Sequence, residues 1–254
     1  MRVLALNLRA GGSRKKLGGL LAGTLEHRPD VVVYSEFRDT AAGEFLRSGL
    51  RAGGLEHAAW SGSAADNGVL IAARTPFASL VNPFGLEPDE YPDAVVRARF
   101  ETIDIFGVYL PGQDRKRPHL RSLIATAQRY NERGARALCI GDFNSGRNET
   151  DIEINVRTGR LADEFSTADL YEQLERYWTE AWLSAHPGQI DYSWQPFRRD
   201  AKYVGRSGWR IDKAFVSAAL LPAVRAAEYD HSFRELRLTD HSALIVDLNE
   251  PPAM

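Results

Sequence analysis

The sequence predicts an α/β fold whose antiparallel or mixed β-sheets are covered by helices on their outer faces. Many short strand-like runs of β-branched and aromatic residues are spread from Arg2 to Leu248. Few helical segments lie between them, which argues against an all-parallel sheet. No linker, repeat or low-complexity tract interrupts the pattern, so we expect a single domain over residues 1–254.

The first elements are predicted as strand, helix and strand. Residues 2–8 alternate polar and apolar side chains, and residues 31–34 form a β-branched run. Pro29 marks the exit of the helix between them. The residues of that helix that recur at helical spacing are Leu17, Leu20, Leu21, Thr24 and Leu25.

The following segments continue the strand-rich pattern. Asp114 is predicted to cap a helix that precedes a strand at 135–140, which gives a β-α-β passage. The apolar face of that helix carries Leu120, Leu123, Ile124 and Ala127. A further helix is predicted at 168–178. The remaining predicted strands are 69–72, 95–100, 103–109, 211–216, 224–228 and 244–248, with a turn at 101–102 that favours a hairpin.

Charge and composition weaken a simple nucleic-acid interpretation without excluding it. The 32 Lys and Arg against 34 Asp and Glu give a net charge of −2, so the whole-molecule field does not attract a polyanion. Basic residues nevertheless cluster locally, although each cluster alone is typical of a solvated surface. The clusters are Arg14, Lys15, Lys16; Arg115, Lys116, Arg117; and Arg198, Arg199, Lys202, Arg206, Arg210.

The expected setting is a reducing cytoplasm. Cys139 is the single cysteine and lies in an apolar run, so it is expected to be buried rather than bonded in a disulfide. No stretch approaches the roughly 20 apolar residues of a membrane span, and Met1 leads into a strand pattern rather than a signal peptide. We expect a soluble cytoplasmic protein.

Polar and acidic side chains fall at or just after the ends of five strand-like runs, where active sites are usually built. They are Asn7, Glu36, Asp142 with Asn144, Asp212, and Asp240 with His241. Carboxylate and amide oxygens suit Mg²⁺ or Mn²⁺, while one Cys and dispersed His give no zinc spacing. Such an ion can neutralise the charge that develops when water cleaves a phosphodiester.

Each of these signals has an ordinary structural explanation. An Asp after a strand is more often a turn former or a cap, and a lone His is more often a hydrogen-bonded structural residue. Glu36 alone could be a surface charge, and Tyr109 a buried tyrosine at a strand end. The order of the residues along the chain, at matching strand ends, is what favours a catalytic site.

The order of the motifs resembles the endonuclease/exonuclease/phosphatase superfamily over nearly the whole chain. The matching segments are Asn7, Ser35-Glu36, Tyr109-Leu110-Pro111, Gly141-Asp142-Phe143-Asn144, Gly208-Trp209-Arg210-Ile211-Asp212 and Asp240-His241. Residues 208–212, 144–153 and Tyr109 resemble most closely the exonuclease III and abasic-site endonuclease branch. The resemblance implies a four-layer sandwich of two packed mixed β-sheets flanked by helices.

The resemblance also implies a metal site and a catalytic set. Glu36 would be the principal ligand of Mg²⁺ or Mn²⁺, with Asp240 as a nearby or second ligand and Asn7 holding that network. The catalytic residues would be Asp142, which orients or deprotonates the attacking water, Asn144, which assists it, Asp212 paired with His241, which contacts the phosphate, and Tyr109, which assists at the phosphate or leaving group.

An apolar pocket for a flipped-out, baseless sugar is implied by the same resemblance. Trp194, Trp209 and Ile211 would surround it, and Arg210 is predicted to bind substrate with them. Aromatic side chains near a basic stretch also suit stacking on nucleic acid. Packing of both tryptophans in the core or at its rim is the alternative that spacing alone leaves open.

The chain departs from the branch at Gly112, where an Asn is usual, at Ser35, where a Gln is usual, and over residues 8–12. The leading hypothesis is a Mg²⁺- or Mn²⁺-dependent DNA nuclease that acts 3′ to 5′ from ends or beside abasic sites, as in DNA repair. The alternatives are a phosphoesterase of the same fold for a small-molecule, nucleotide or lipid phosphate, and a catalytically silent binding module. We expect a monomer that binds DNA, with no protein partner.

Overall fold

The computed structural model describes residues 1–153, 165–197 and 208–249. The strands are β1 (Arg2–Asn7), β2 (Val31–Phe37), β3 (His57–Trp60), β4 (Gly68–Ala73), β5 (Ala78–Val81), β6 (Val95–Arg99), β7 (Asp104–Tyr109), β8 (Ala137–Asp142), β9 (Trp178–Glu180), β10 (Asp212–Ser217), β11 (Val224–Asp230) and β12 (Ala243–Leu248). The helices are α1 (Leu17–Glu26), α2 (Ala41–Ala52), α3 (Arg117–Glu132), α4 (Asn148–Asp151), α5 (Ala168–Leu174), α6 (Ala181–Ala185) and α7 (Ser232–Glu235). Among these residues, no helix is long and apolar enough to cross a membrane.

The strands form two mixed six-stranded sheets. The first has the order β11-β12-β1-β2-β4-β3 and the second β5-β6-β7-β8-β10-β9. Only β1 with β2 and β7 with β8 pair in parallel, and the other neighbours are antiparallel. The mixed sheets predicted from the sequence are therefore confirmed.

Three buried apolar layers explain why the sheets stack. Val33 and Ile71 of the first sheet meet Ile105 and Ile140 of the second in a core between the sheets. The outer face of the second sheet packs on α3 and α5, and that of the first packs on α1 and α2. Burial on both faces accounts for the nearly continuous apolar runs in the central strands. The predicted four-layer sandwich is confirmed.

Strand register brings the polar strand ends to one edge of the sandwich. The parallel pair β1 and β2 aligns Asn7 with Ser35, and the parallel pair β7 and β8 aligns Tyr109 with Asp142. The antiparallel strand β10 begins at Asp212, directly opposite Asp142. Because the two sheets face each other, these ends form a single cleft.

Two segments differ from their predicted boundaries. Asp114 does not cap α3; it lies in a short 3₁₀ turn and accepts a hydrogen bond from the Arg117 guanidinium (3.0 Å), while α3 begins at Arg117 with Pro118 in its first turn. The helix predicted over 168–178 ends at Leu174, because residues 178–180 form the edge strand β9. A rigid-φ proline in the first turn is a common start for a helix.

Candidate active site

Asn7 joins the two sheets at the centre of the cleft. Its side chain is fully buried, and its Nδ2 donates to Glu36 Oε1 (3.1 Å) and to Asp142 Oδ2 (2.8 Å). The Asn7 carbonyl in turn accepts from Thr239 Oγ1 (2.8 Å), two residues before His241. One amide thus fixes two carboxylates that come from different sheets, and its place in a metal site stays a prediction.

Glu36 is presented by a β-bulge. The register of β2 against β4 shifts between Ser35 and Phe37, and Glu36 has φ of 54°, in the left-handed region that few non-glycine residues adopt. This backbone turns its side chain toward Asn7 and exposes it partly. Glu36 Oε2 also accepts from the backbone N–H of Ala10 (2.6 Å) and from Asn67 Nδ2 (3.1 Å).

Asp142 is buried and is held in a single orientation. Asn144 donates its backbone N–H to Oδ1 (2.8 Å) and its Nδ2 to Oδ2 (3.2 Å), from a left-handed conformation with φ of 46°. Ser35 Oγ accepts from the Asp142 N–H (3.3 Å) and donates to the Val108 carbonyl (2.8 Å). The serine that replaces the usual glutamine therefore ties the two sheets together beneath the site.

Burial raises the pKa of Asp142, and the neighbouring Asp212 charge raises it further; the His241 charge and the Asn144 N–H lower it in part. A carboxylate that holds a proton more readily than usual has the proton affinity expected of a base that takes a proton from water near neutral pH.

Asp212 and His241 form a buried pair beside Asp142. His241 Nδ1 lies 2.8 Å from Asp212 Oδ2. Burial alone would lower the pKa of His241, but the Asp212 charge and this hydrogen bond outweigh burial and raise the pKa to about 10. Ser193 Oγ accepts from the N–H of Ile211 (3.1 Å) and of Asp212 (3.0 Å) and so fixes the strand start. The imidazole is cationic at neutral pH, and its Nε2 has no hydrogen bond among the described residues.

Tyr109 stands at the cleft wall as a neutral phenol. Burial and the charges of Glu36 and Asp142 raise its pKa to about 12. Its hydroxyl accepts from Asn67 Nδ2 (3.4 Å), the amide that also holds Glu36. The partly exposed phenol keeps its proton and can donate it in a hydrogen bond.

The donor set of the cleft fits a hard cation. Asp142, Asp212 and His241 offer ligand atoms within 4.8 Å of one another, an arrangement that could hold a metal ion. Glu36 and Asp240, the ligands that the resemblance implies, also offer the carboxylate oxygens that a hard cation prefers, and their role as ligands stays a prediction. Asp240 Oδ1 is buried and has no hydrogen-bond partner within the described part of the chain. An orphaned carboxylate oxygen is an acceptor that a cation or its water can satisfy.

Arg9 places a positive charge next to the other oxygen of Asp240. Its Nε lies 3.3 Å from Asp240 Oδ2, and its guanidinium sits 4.7 Å from the ring centre of Phe197. Arg9 and Ala10 have φ of 58° and 54° and are followed by two positive-φ glycines, so this turn carries both the guanidinium and the N–H that Glu36 accepts. Residues 8–12, which depart from the usual sequence, thus form one wall of the cleft.

The predicted substrate residues separate into two groups. Trp194 and Trp209 are partly exposed, with ring centres 5.0 Å apart and planes inclined by 37°, and Trp194 also bridges to His241. Ile211 is buried next to them. These three residues lie beside the Asp212–His241 pair along the chain and through the bridge of Trp194 to His241, and the pocket that they were predicted to surround stays a prediction.

Arg210 is placed differently. It is 1% exposed, and its guanidinium donates to Asp151 and to Glu180 while its cation lies 4.9 Å from the Trp182 ring centre. Lys213 adds a second buried cation on Asp151 at 2.8 Å. These contacts favour a structural role for Arg210; its predicted substrate contact stays a prediction.

The two segments that carried the branch-level resemblance pair with each other. Ile152 bridges to Trp209, and Glu153 N–H donates to the Gly208 carbonyl (3.2 Å). The end of the segment 144–153 is therefore hydrogen-bonded to the start of the segment 208–212. The basic residues Arg198, Arg199, Lys202 and Arg206 lie outside the described residues.

Several contributors were not predicted from the sequence. Three of them lie in turn-like sequences between strands, where nothing in the local pattern indicates a role in the site: the Ala10 N–H, Asn67 and Ser193. Lys116 was counted in a surface cluster, yet it is 2% exposed and its Nζ donates to the Asn144 carbonyl. Burial lowers its pKa to about 8, against the raising effect of the Asp142 charge. A lysine in a run of three basic residues carries no signal of burial.

Comparisons with known proteins agree with this geometry. An abasic-site (AP) endonuclease from Archaeoglobus fulgidus superposes with a TM-score of 0.80 at 19% identity, over 98% of this chain and 100% of that one. A 3′-5′ exonuclease (NExo) from Neisseria meningitidis gives 0.80 at 22% identity with the same coverage. The 3′ phosphatase NExo from Neisseria bound to a product DNA hairpin gives 0.78 at 21% identity, over 98% and 100% of the two chains.

At these identities the structural likeness shows the fold alone. No curated protein sequence matches significantly. The model of the endonuclease/exonuclease/phosphatase family, however, matches residues 4–241, which include every strand end of the cleft. The chain therefore belongs to the endonuclease/exonuclease/phosphatase family, whose members hydrolyse phosphoester bonds.

Proposed function

We propose that this protein is a Mg²⁺- or Mn²⁺-dependent phosphodiesterase that cleaves DNA, as a 3′-5′ exonuclease, an abasic-site endonuclease or both. The observation that carries the proposal is the pairing of a buried, hydrogen-bonded base, Asp142, with a buried imidazolium, His241. Phosphodiester hydrolysis needs both a group that takes a proton from water and a cation that meets the phosphate charge.

Asp142 orients the attacking water and takes its proton. Its hydrogen bonds from Asn7 and Asn144 fix both oxygens, so the carboxylate does not have to reorganise during the reaction. Asp212 keeps His241 charged and holds its Nδ1 side, which leaves Nε2–H to donate to a phosphate oxygen. Tyr109 donates its phenolic O–H at the phosphate or leaving group.

Glu36 and Asp240, with Asn7 beside them, would hold the divalent ion. The ion would neutralise the charge of the phosphate when bound. The carboxylate of Glu36 is oriented by three donors before any ion arrives. Arg9 occupies the other Asp240 oxygen and adds a positive charge to the same side of the cleft.

DNA is the preferred substrate because of the aromatic side of the cleft. Trp194 and Trp209 are partly exposed and their rings contact each other, the backbone of Trp194 bridges to His241, and Trp209 and buried Ile211 closely precede Asp212 in the chain. Rings in that position can stack on a base or enclose a baseless sugar. The solved structures similar to this chain include an AP endonuclease and a 3′ phosphatase with a product DNA hairpin.

A small-molecule phosphoesterase is the second candidate. The net charge of −2 gives no general attraction for a polyanion, and Gly112, three residues after Tyr109, supplies no side chain where an Asn is usual. A Cβ at Gly112 would have no atom within 4 Å, so the position is open to solvent or to a compact substrate.

The two candidates are separated by a substrate panel assayed in Mg²⁺ and in Mn²⁺. The panel contains duplex DNA with a recessed 3′ end, duplex DNA with a tetrahydrofuran abasic analogue, single-stranded RNA, and soluble phosphate monoesters and diesters. Metal-dependent cleavage of either duplex, absent in Asp142→Asn, is the expected result. Turnover of soluble esters by well-folded enzyme that leaves every nucleic acid intact would replace the DNA proposal with the second candidate.

A further inference from the structure

A cavity of about 530 Å³ lies on the outer face of the second sheet, away from the active-site cleft. Residues at the start of β7 and in the last turns of α3 line it. Asp104 at one end of β7 lines it, and Tyr109 at the other end belongs to the active site. Five residue steps along a strand span about 17 Å, so the cavity is separate from the catalytic cleft.

Five arginines line this cavity, which we call the arginine pocket: Arg97, Arg99, Arg129, Arg133 and Arg136. The acidic side chains in its lining are Glu101 and Asp104. Asp104 is already engaged by Arg99 (3.1 Å) and by the Tyr130 hydroxyl. The formal charge of the lining is therefore 5 − 2 = +3, in a chain whose net charge is −2.

Much of this positive charge is uncompensated within the described part of the chain. Arg97, Arg129 and Arg133 form no ion pair there, and Arg129 donates only to the Thr126 hydroxyl (2.9 Å). The Nε of Arg97 is buried without a hydrogen-bond acceptor. A desolvated guanidinium donor without an acceptor is costly, so an anion that enters the pocket gains a hydrogen bond that the protein itself does not make.

The floor of the arginine pocket is aromatic. Phe106 is buried, Phe84 stacks on it with planes inclined by 18°, and Tyr130 meets it edge-on with ring centres 5.8 Å apart. Phe84 is partly exposed. A planar ring can pack against these side chains, while the guanidinium groups of the same lining can donate paired hydrogen bonds to phosphate oxygens.

We propose that the arginine pocket binds a nucleoside monophosphate, with its phosphate on the arginines and its base against Phe84 and Tyr130. The volume suits a ligand of this size. The assignment is independent of the DNA-cleavage proposal, because it rests on residues of another face and needs no catalysis.

The test is isothermal titration calorimetry with deoxyadenosine 5′-monophosphate in EDTA, which removes divalent ions from the cleft. One nucleotide per chain is expected to bind wild type. Binding should weaken at least tenfold in the double variant Arg129→Ala/Arg133→Ala and in Arg97→Gln. Arg129 and Arg133 are exposed, so we expect the double variant to fold. Binding should be unchanged in Arg225→Ala, a matched exposed arginine on the first sheet, and in Asp142→Asn.

Three results would overturn the proposal. The first is no binding to wild type, and the second is binding that survives the arginine variants but is lost in Asp142→Asn, which would place the nucleotide in the cleft. The third is inorganic phosphate binding as tightly as the nucleotide, which would remove the role of the aromatic floor. If the double variant instead lost affinity for duplex DNA while wild type ignored the mononucleotide, the pocket would be part of a polymer-binding surface.

Discussion

Two clusters of mostly buried polar and charged residues meet at β10, where Asp212 belongs to one and Lys213 to the other, and they have opposite character. The acidic cleft contains Asn7, Glu36, Asp142, Asp212 and His241. The ion network below it contains Asp151, Glu180, Arg210 and Lys213, all of them 3% exposed or less. In the ion network each carboxylate has a cation at hydrogen-bonding distance.

The acidic cleft is compensated less completely. The charges of Asp142, Asp212 and Asp240 all act on one imidazolium, that of His241. The pKa of Asp142 is raised, and Asp240 Oδ1 has no hydrogen-bond partner within the described residues. Glu36 and Asn144 adopt left-handed backbone conformations there. Burial of charge alone therefore does not identify a functional site. Charge left without its complement, on a strained backbone, is what makes the cleft the candidate site.

Arg210→Met should have the largest effect on stability. The change leaves Glu180 buried without its cation and removes half the compensation of Asp151, so we expect the free energy of unfolding to fall by about 3–5 kcal/mol. Urea unfolding followed by circular dichroism measures it. Arg225→Ala, which removes an exposed arginine 4.0 Å from Asp247, should stay within about 0.5 kcal/mol of wild type. A loss below 1 kcal/mol in Arg210→Met would contradict the assignment of a structural network.

Asp142→Asn should lower the cleavage rate by about 10²-fold or more, because an amide cannot take a proton from water. That factor corresponds to about 2.7 kcal/mol of transition-state stabilisation. The variant should stay folded, because the lost hydrogen-bond acceptor is offset by removal of a negative charge that burial and Asp212 both disfavour. Single-turnover cleavage and a melting curve on one preparation give both values, and an active variant would exclude Asp142 as the base.

Divalent ions should raise the melting temperature of wild type. At an ion concentration of about 100 times Kd the gain is about 2.7 kcal/mol, or several degrees for a chain of this size. Glu36→Gln should lose most of this shift, whereas Glu44→Gln, an exposed glutamate of α2 used as a control, should keep it. An equal shift in Glu36→Gln and wild type would place the ion elsewhere.

The smallest effect concerns the pH dependence of stability. Burial and the Arg210 charge lower the pKa of Lys213 in the folded protein to about 8, although Asp151 and Glu180 act in the raising direction. The unfolded chain then binds more protons between pH 8 and about 10.4, so Lys213 makes stability rise with pH across this window. Lys213→Met should flatten that rise relative to Lys15→Met, an exposed control. Identical slopes of unfolding free energy between pH 8 and 10 would contradict it.

The sequence predicted the cleft better than the ion network for a physical reason. Asn7, Asp142 and Asp212 interrupt apolar strand runs at their ends, where a polar residue is conspicuous and strand register brings it to a common edge. Asp151 and Glu180 follow no such run, and their burial depends on long-range packing against Arg210. Their charge pairing could not be read from local pattern.

The helix α2 and the role of the turn residue Asn67 were also not predicted from the sequence. Thr40 caps α2 through the Gly43 N–H, and Leu46 and Leu50 share its buried face, yet two glycines and several charges weaken its helical pattern. Asn67 was indistinguishable from an ordinary turn residue before β4, although its amide holds both Glu36 and Tyr109. Side-chain hydrogen bonds between distant turns depend on the fold and have no sequence period.

The contrast between the two clusters is tested most directly by one matched pair of substitutions, Asp212→Asn and Asp151→Asn. Both remove one negative charge from a buried aspartate, and both variants are assayed for unfolding free energy and for incision of duplex DNA carrying a tetrahydrofuran site in Mg²⁺. Asp212→Asn should cut the rate per folded molecule about 10²-fold or more, because His241 loses the charge partner that keeps it protonated. Asp151→Asn should cost about 3 kcal/mol or more and leave the rate per folded molecule within a few fold. A stable, inactive Asp151→Asn beside an unstable, active Asp212→Asn would contradict the account.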